Sequence, residues 1–260
     1  MDGETQSHVK QVERRATTPV AGAVAGIAFA VLFGVSVTIL TSTMADVTEE
    51  SGAWLEGNTR SIKFALALVP FAGLFFLWFI AVARERLGRF EDQFFSTVFI
   101  GSGLLFLAMV FAAAASAGAM VAAYAGDPAG FADSSTYAYA RQMIAQIFSV
   151  YALRMAAIFQ ISQATLWLRT GVMPRWMALL TYPVALVLLF TFTQAQWVIL
   201  VFPGWVLLVS LYILVVSIRR GPVALAEAPG PRSGASESTG GASGSPTEAS
   251  EPAVEGPGAP

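Results

Sequence analysis

The chain contains no cysteine. Disulfides, thiol nucleophiles, thiolate metal sites and thiol redox chemistry are excluded with it. Its one histidine, His8, stands in the N-terminal segment, outside every apolar stretch. That leaves no means of building a bis-histidine haem site, a His-rich di-iron centre, an HExxH zinc site or a Ser-His pair within those stretches. The apolar stretches also lack Asp and Glu, so a carboxylate proton relay and an aspartyl dyad are unavailable. No glycine-rich loop leads into Lys and Ser/Thr, so there is no phosphate loop. Gly101 and Gly103 form a lone GxG inside an apolar stretch and read as packing residues. Charged residues make up 12% of the chain, against about 25% in an average soluble domain. The net charge of -2 offers no field for nucleic acid. Together these absences predict a non-enzymatic protein with no catalytic residue, cofactor, metal or nucleic-acid partner.

What is present is apolar length. Hydrophobic residues make up 55% of the 260. A helix needs about 20 apolar residues to cross the hydrocarbon layer. The pattern predicts spans at 19–40, 62–83, 95–124, 143–167, 176–193 and 197–218, forming one transmembrane domain over 19–220. The fold class is therefore all-α, an integral membrane six-helix bundle. The third span is longer than one crossing needs, and the fifth is short for one. Thr18 and Pro19 read as the N-cap and first position of the first helix. A signal peptide would have an apolar core of about 7–15 residues; the run from Val20 to Leu40 is longer, so a retained helix is expected.

Positive charge sets the expected orientation. Lys10, Arg14 and Arg15 precede the first span; Arg84, Arg86 and Arg89 follow the second. Arg169 and Arg175 flank the fourth connection, and Arg219 and Arg220 follow the last span. The first connection is acidic, with Asp46, Glu49, Glu50 and Glu56 against Arg60. The third holds Asp127 and Asp133, with Arg141 at its end. The arginine-rich segments all fall on one side, so both termini are expected in the cytoplasm. Trp167, Trp176 and Trp197 fall at interfacial positions. Thirteen of the fifteen basic residues are Arg, and Ala and Gly abound, a bias common in GC-rich bacteria. The expected location is the bacterial cytoplasmic (inner) membrane, multi-pass, with residues 1–18 and 221–260 as cytoplasmic N-terminal segment and tail. The tail has no Phe, Tyr, Trp or Ile and carries five Glu against Arg232 alone; that composition predicts disorder.

Small residues recur every four positions at Gly22, Gly26, Ala30 and Gly34, and at Ala114, Gly118, Ala122 and Gly126. Both ridges are expected as helix-packing faces, because close approach replaces hydrophobic drive in lipid. Pro70, Pro183 and Pro203 lie inside spans, where each removes an amide donor. Lys63 with Pro70 loosely parallels Arg175 with Pro183, a faint hint of an inverted repeat.

One charge lies deep in a span: Arg154. A central Arg costs about 2.5–3.5 kcal/mol on insertion scales, so it should face the bundle interior. At about 100° per residue, Gln142, Gln146, Ser149, Gln160 and Gln163 share one face of its helix. Arg154 lies at the margin of that stripe, on the flank of Tyr151 and Thr165. The candidate polar site is therefore Arg154, Gln146, Ser149, Gln160 and Tyr151, with an anionic lipid or small anion as its partner. The structural alternative has Arg154 bonded to carbonyls freed by Pro70, Pro183 or Pro203. A small-solute carrier, and a scaffold or regulatory subunit acting through loops and tail, are the competing functions.

The stretch Thr170-Gly171-Val172-Met173-Pro174-Arg175-Trp176 resembles the T-G-x-x-P-R-W turn of uncharacterised bacterial multi-span membrane proteins. The likeness covers roughly residues 141–193. It implies a polytopic fold and assigns no catalytic residue.

Overall fold

A computed structural model describes residues 2–45, 54–87, 93–132, 134–171, 173–190 and 196–226. They form helices α1 (Asp2–Ala45), α2 (Trp54–Leu87), α3 (Gln93–Gly126), α4 (Pro128–Ala132), α5 (Ser135–Ala145), α6 (Leu153–Thr170), α7 (Arg175–Phe190) and α8 (Gln196–Ala226). A π-helical segment, Gln146–Ala152, joins α5 to α6 without a break. No strand occurs among the described residues. Five helices are long and apolar enough to cross a membrane: Val20–Thr43, Gly57–Arg84, Phe94–Gly126, Ser135–Thr170 and Val198–Arg219. The expected fifth span is the shorter α7, 16 residues or about 24 Å against a hydrocarbon layer of about 30 Å. The chain is a membrane-embedded helical bundle.

Several boundaries differ from the sequence reading. α1 begins at Asp2, so Thr18 and Pro19 lie within it and not at its start. The Glu, Gln, Lys and Arg residues before them are good helix formers and prolong the helix. Arg141 belongs to α5, not to a loop. Ser134 caps this helix early, its side chain accepting from the Tyr137 amide. At the other end, 221–226 continues α8. The tail beyond, and the acidic first connection, lie outside the described residues.

α1 packs along α2 and α8, α3 along α2 and α6, and α6 pairs with α7. In lipid this association needs tight contact, and aromatic rings supply much of it. Phe76 of α2 meets Phe29 at 4.7 Å, and both Phe106 and Phe159 at 5.4 Å. Phe202 of α8 meets Phe106 at 4.7 Å, and Phe99 stacks on Phe159 at 4.6 Å. One aromatic layer thus joins α1, α2, α3, α6 and α8. Aromatic pairs contribute about 0.5–1.5 kcal/mol beyond burial.

The first glycine ridge packs only in part. A methyl on Gly22 would lie 2.5 Å from Val82 Cγ1, and one on Gly26 would collide with Ser210 Oγ and Phe79. Gly34, two turns on, has no neighbour in reach. The second ridge is not a tight packing face: Gly118 and Gly126 have no neighbour in reach and Ala122 is exposed. Close approach on α3 falls instead at Gly103, against Ile80 and Phe159, while Gly101 is open.

Candidate functional site

The aromatic layer gives a reference level for the bundle. From it, α1 extends about 24 Å to Ala45 and α3 about 30 Å to Gly126, at 1.5 Å per residue. α8 extends only about 9 Å in that direction, from Phe202 to Gln196. α7 stops low as well. Thr165 of α6 and Tyr182 of α7 share a hydrogen bond at 2.9 Å, and α7 ends at Phe190, about 12 Å further on. The half of the bundle toward Arg169 therefore contains α1, α2, α3, α6, α7 and α8. Beyond the levels of Phe190 and Gln196, the described residues of the opposite half belong to α1, α2, α3, α4 and the α5–π–α6 helix.

A cavity of about 260 Å³ lies in that thinner half. Its floor is Phe33, Val110, Phe148 and Ile199, above the aromatic layer. Its upper wall is Leu40, Ile62, Leu66, Met120 and Ile144, which pack with Tyr124 and Tyr137 into a second, smaller apolar cluster. The cavity is the gap between the two clusters. Ala113, Ala114 and Ala117 of α3 line it, and their short side chains leave the space. Along α1 it runs from Phe33 to Thr41, about 12 Å. α1 and α5 do not pack along each other. Lower down, α8 packs beside α1; its described residues reach only to Gln196, and the cavity is part-open.

The polar groups around the cavity are Ser36, Thr41, Ser149 and Arg141. Ser36 Oγ donates to the Ala65 carbonyl at 2.9 Å, and Thr41 Oγ1 to the Val37 carbonyl at 2.9 Å. Arg141, half-buried, has no acidic or hydrogen-bonding partner among the described residues. Pro70 and Pro203 lack N–H groups, so Leu66 and Ile199, four residues earlier and both lining the cavity, lose the usual helical donor to their carbonyls.

The five residues singled out from sequence lie in different surroundings. Ser149 lines the cavity. Gln146 is exposed and Tyr151 is 56% exposed. Gln160 is fully buried in the bundle, with neither carboxamide atom hydrogen-bonded. Arg154 is half-buried, and its Nη1 donates to the Val150 carbonyl at 2.7 Å. This acceptor lies on its own helix, and is not one of the carbonyls freed by proline.

The π segment explains the scattered stripe. Its wider turns, seen where the Leu153 amide donates to the Phe148 carbonyl, rotate the faces below it relative to those above. Gln142 and Gln146 are accordingly exposed while Gln160 and Gln163 are buried. The Arg154 guanidinium bonds within this segment, at the Val150 carbonyl. Helical side chains lean toward the N-terminus, which directs Arg154 upward, past the level where α7 ends.

Arg141, a lining residue, reads in the sequence as the end of a loop; the Ser134 cap, which starts the helix seven residues earlier, is the signal that places it on a helix. At the opposite end, Gly171 takes the left-handed conformation (φ 64°) that closes α6. Pro174 opens α7, its carbonyl accepting from Met177 at 3.0 Å. Arg169 lies over the Phe95 ring at 4.5 Å. Among the described residues no group of His, Asp and Glu could hold a metal. Comparison with family models, curated proteins and solved structures finds no match.

Proposed function

We propose that this chain is a non-enzymatic, multi-pass protein of the bacterial cytoplasmic membrane whose bundle receives a lipophilic guest in the cavity between α1, α2, α3 and α5. The observation that carries this reading is the part-open cavity lined by α1 and α5, which do not pack along each other among the described residues. A cavity reached from the side of a membrane-embedded bundle is reached from the bilayer. A carrier would need a path through the other half, and there the aromatic layer fills the space.

The arginine alternation places both termini and the Arg169 turn in the cytoplasm, and so the cavity in the outer half. A cysteine introduced at Ser135 should react with an impermeant maleimide in intact cells, and one at Thr170 only after permeabilisation; the reverse pattern overturns the orientation. For the guest, the whole chain is released from native-lipid nanodiscs into a mass spectrometer. One retained lipophile is expected on the wild type and none on Ala117→Phe, which fills the cavity. A wild type that carries nothing more than the variant overturns the reading.

A further inference from the structure

We infer that the guest is a single-chain fatty carboxylate, its chain in the cavity and its carboxylate on Arg141. The inference rests on the proposed guest-binding cavity and adds the chemistry that selects the guest.

A purely apolar guest has no reason to choose this cavity. Bilayer tails are as apolar as the cavity wall, so moving a hydrocarbon from one to the other yields no hydrophobic gain. Selection has to come from something the bilayer interior lacks. Among the lining groups, two of the three hydroxyls already donate to backbone carbonyls. The Ser149 hydroxyl and Arg141 remain; of these only Arg141 is charged, a cation with no partner among the described residues, at the end of the cavity away from the aromatic floor. A half-buried guanidinium over an apolar chamber is complementary to an amphiphile whose charge sits at one end.

Size and charge narrow the class. Pockets for drug-sized ligands span about 300–1,000 Å³; 260 Å³ falls below that range, which suits one chain and not the two of a diacyl phospholipid. Among the described residues the lining carries a single cation. Lys63, beside the lining residue Ile62, is itself exposed and takes no part in the wall, as is Arg60. One guanidinium matches one carboxylate through two parallel N–H to O bonds. A phosphate monoester or diphosphate would bring more negative charge than this wall can meet. The chamber's depth, about 15 Å along α3 from Val110 to Met120, gives the chain room to lie along the helices. The α1–α5 seam lets it enter sideways while its head stays near the membrane surface.

The experiment is a thermal-shift titration of the full chain in nanodiscs against laurate, dodecanol and dodecyltrimethylammonium, each below its aggregation threshold. Stabilisation grows as RT ln(1 + [L]/Kd), so each titration yields an apparent Kd. Laurate should stabilise the wild type, with dodecanol and the cationic amphiphile at least about tenfold weaker. Arg141→Gln should weaken laurate by about tenfold or more while leaving dodecanol unchanged, and Arg141→Lys should recover part of the loss. Arg154→Gln should bind laurate as the wild type does. Should Arg141→Gln fail to fold, the ratio of laurate to dodecanol on the wild type decides the matter alone. Laurate and dodecanol equal on the wild type, both lost in Ala117→Phe, would overturn the carboxylate and leave the cavity standing. If no probe stabilises the wild type more than Ala117→Phe, the cavity reading itself falls.

Discussion

The two halves of the bundle solve the same problem differently. Toward Arg169, helices meet through rings: Trp167 stacks on Trp205 at 6.0 Å, Phe202 on Trp205 at 6.4 Å, and Trp205 Nε1 donates to Thr181 Oγ1 at 3.1 Å. Toward Arg141, four helices enclose alanines and a chamber. Large rings carry dispersion contact across each interface, which is the main attraction left between helices in lipid. Alanines cannot, so the thinner half depends on the helices being held together below it. The difference locates the space that the fold leaves unfilled.

The contrast breaks most decisively at Phe76. Phe76→Ala removes a ring that touches α1, α3, α6 and α8 and should cost about 3–5 kcal/mol, read as denaturant-induced unfolding in mixed micelles. Met120→Ala, at the upper edge of the chamber, should cost distinctly less, because the chamber is already underfilled. Equal losses would mean the halves do not differ in packing.

A smaller test uses two glycines of one helix. Gly26→Ala drives a methyl into Ser210 and Phe79 and should destabilise by about 1–3 kcal/mol through overpacking. Gly34→Ala meets nothing and should be neutral or gain up to about 1 kcal/mol of helix propensity. The two melting curves should therefore move apart; moving together would show that the ridge packs as one unit.

Smaller again is the effect at Gln160. Its carboxamide is buried without a protein partner, a state that costs about 1–3 kcal/mol for a neutral polar group. Gln160→Met keeps the length and removes that cost. The variant should melt higher by an amount corresponding to about 1 kcal/mol; a lower melting point would show that the amide is satisfied in the membrane.

These contrasts also mark what was legible beforehand. Composition reveals helices and their apolar length directly, because a lipid-embedded backbone has almost no alternative. Levels are another matter. That α8 starts only six residues before Phe202, while α3 runs far past Phe106, gains its meaning from ring contacts between distant residues, and no single-helix pattern encodes it. The stripe through Gln146 and Gln160 assumed one unbroken α-helical period, and the π segment at Gln146–Ala152 voids that assumption without any Gly or Pro to announce it. Arg154 drew attention as a charge within a long apolar run. Arg141, the residue on the chamber, lies among ordinary polar neighbours, and its significance emerges only once α1 and α2 are placed opposite it.

The early ending of α7 and α8 has a mechanical side as well. Each helix with its side chains is about 10–12 Å across, so a body with more of its described helices at one depth than at another displaces more lipid from one leaflet than from its counterpart. The described helices together taper as a wedge. Crowded together in one orientation, such wedges would bend the sheet they sit in, or drift toward places where it is already bent.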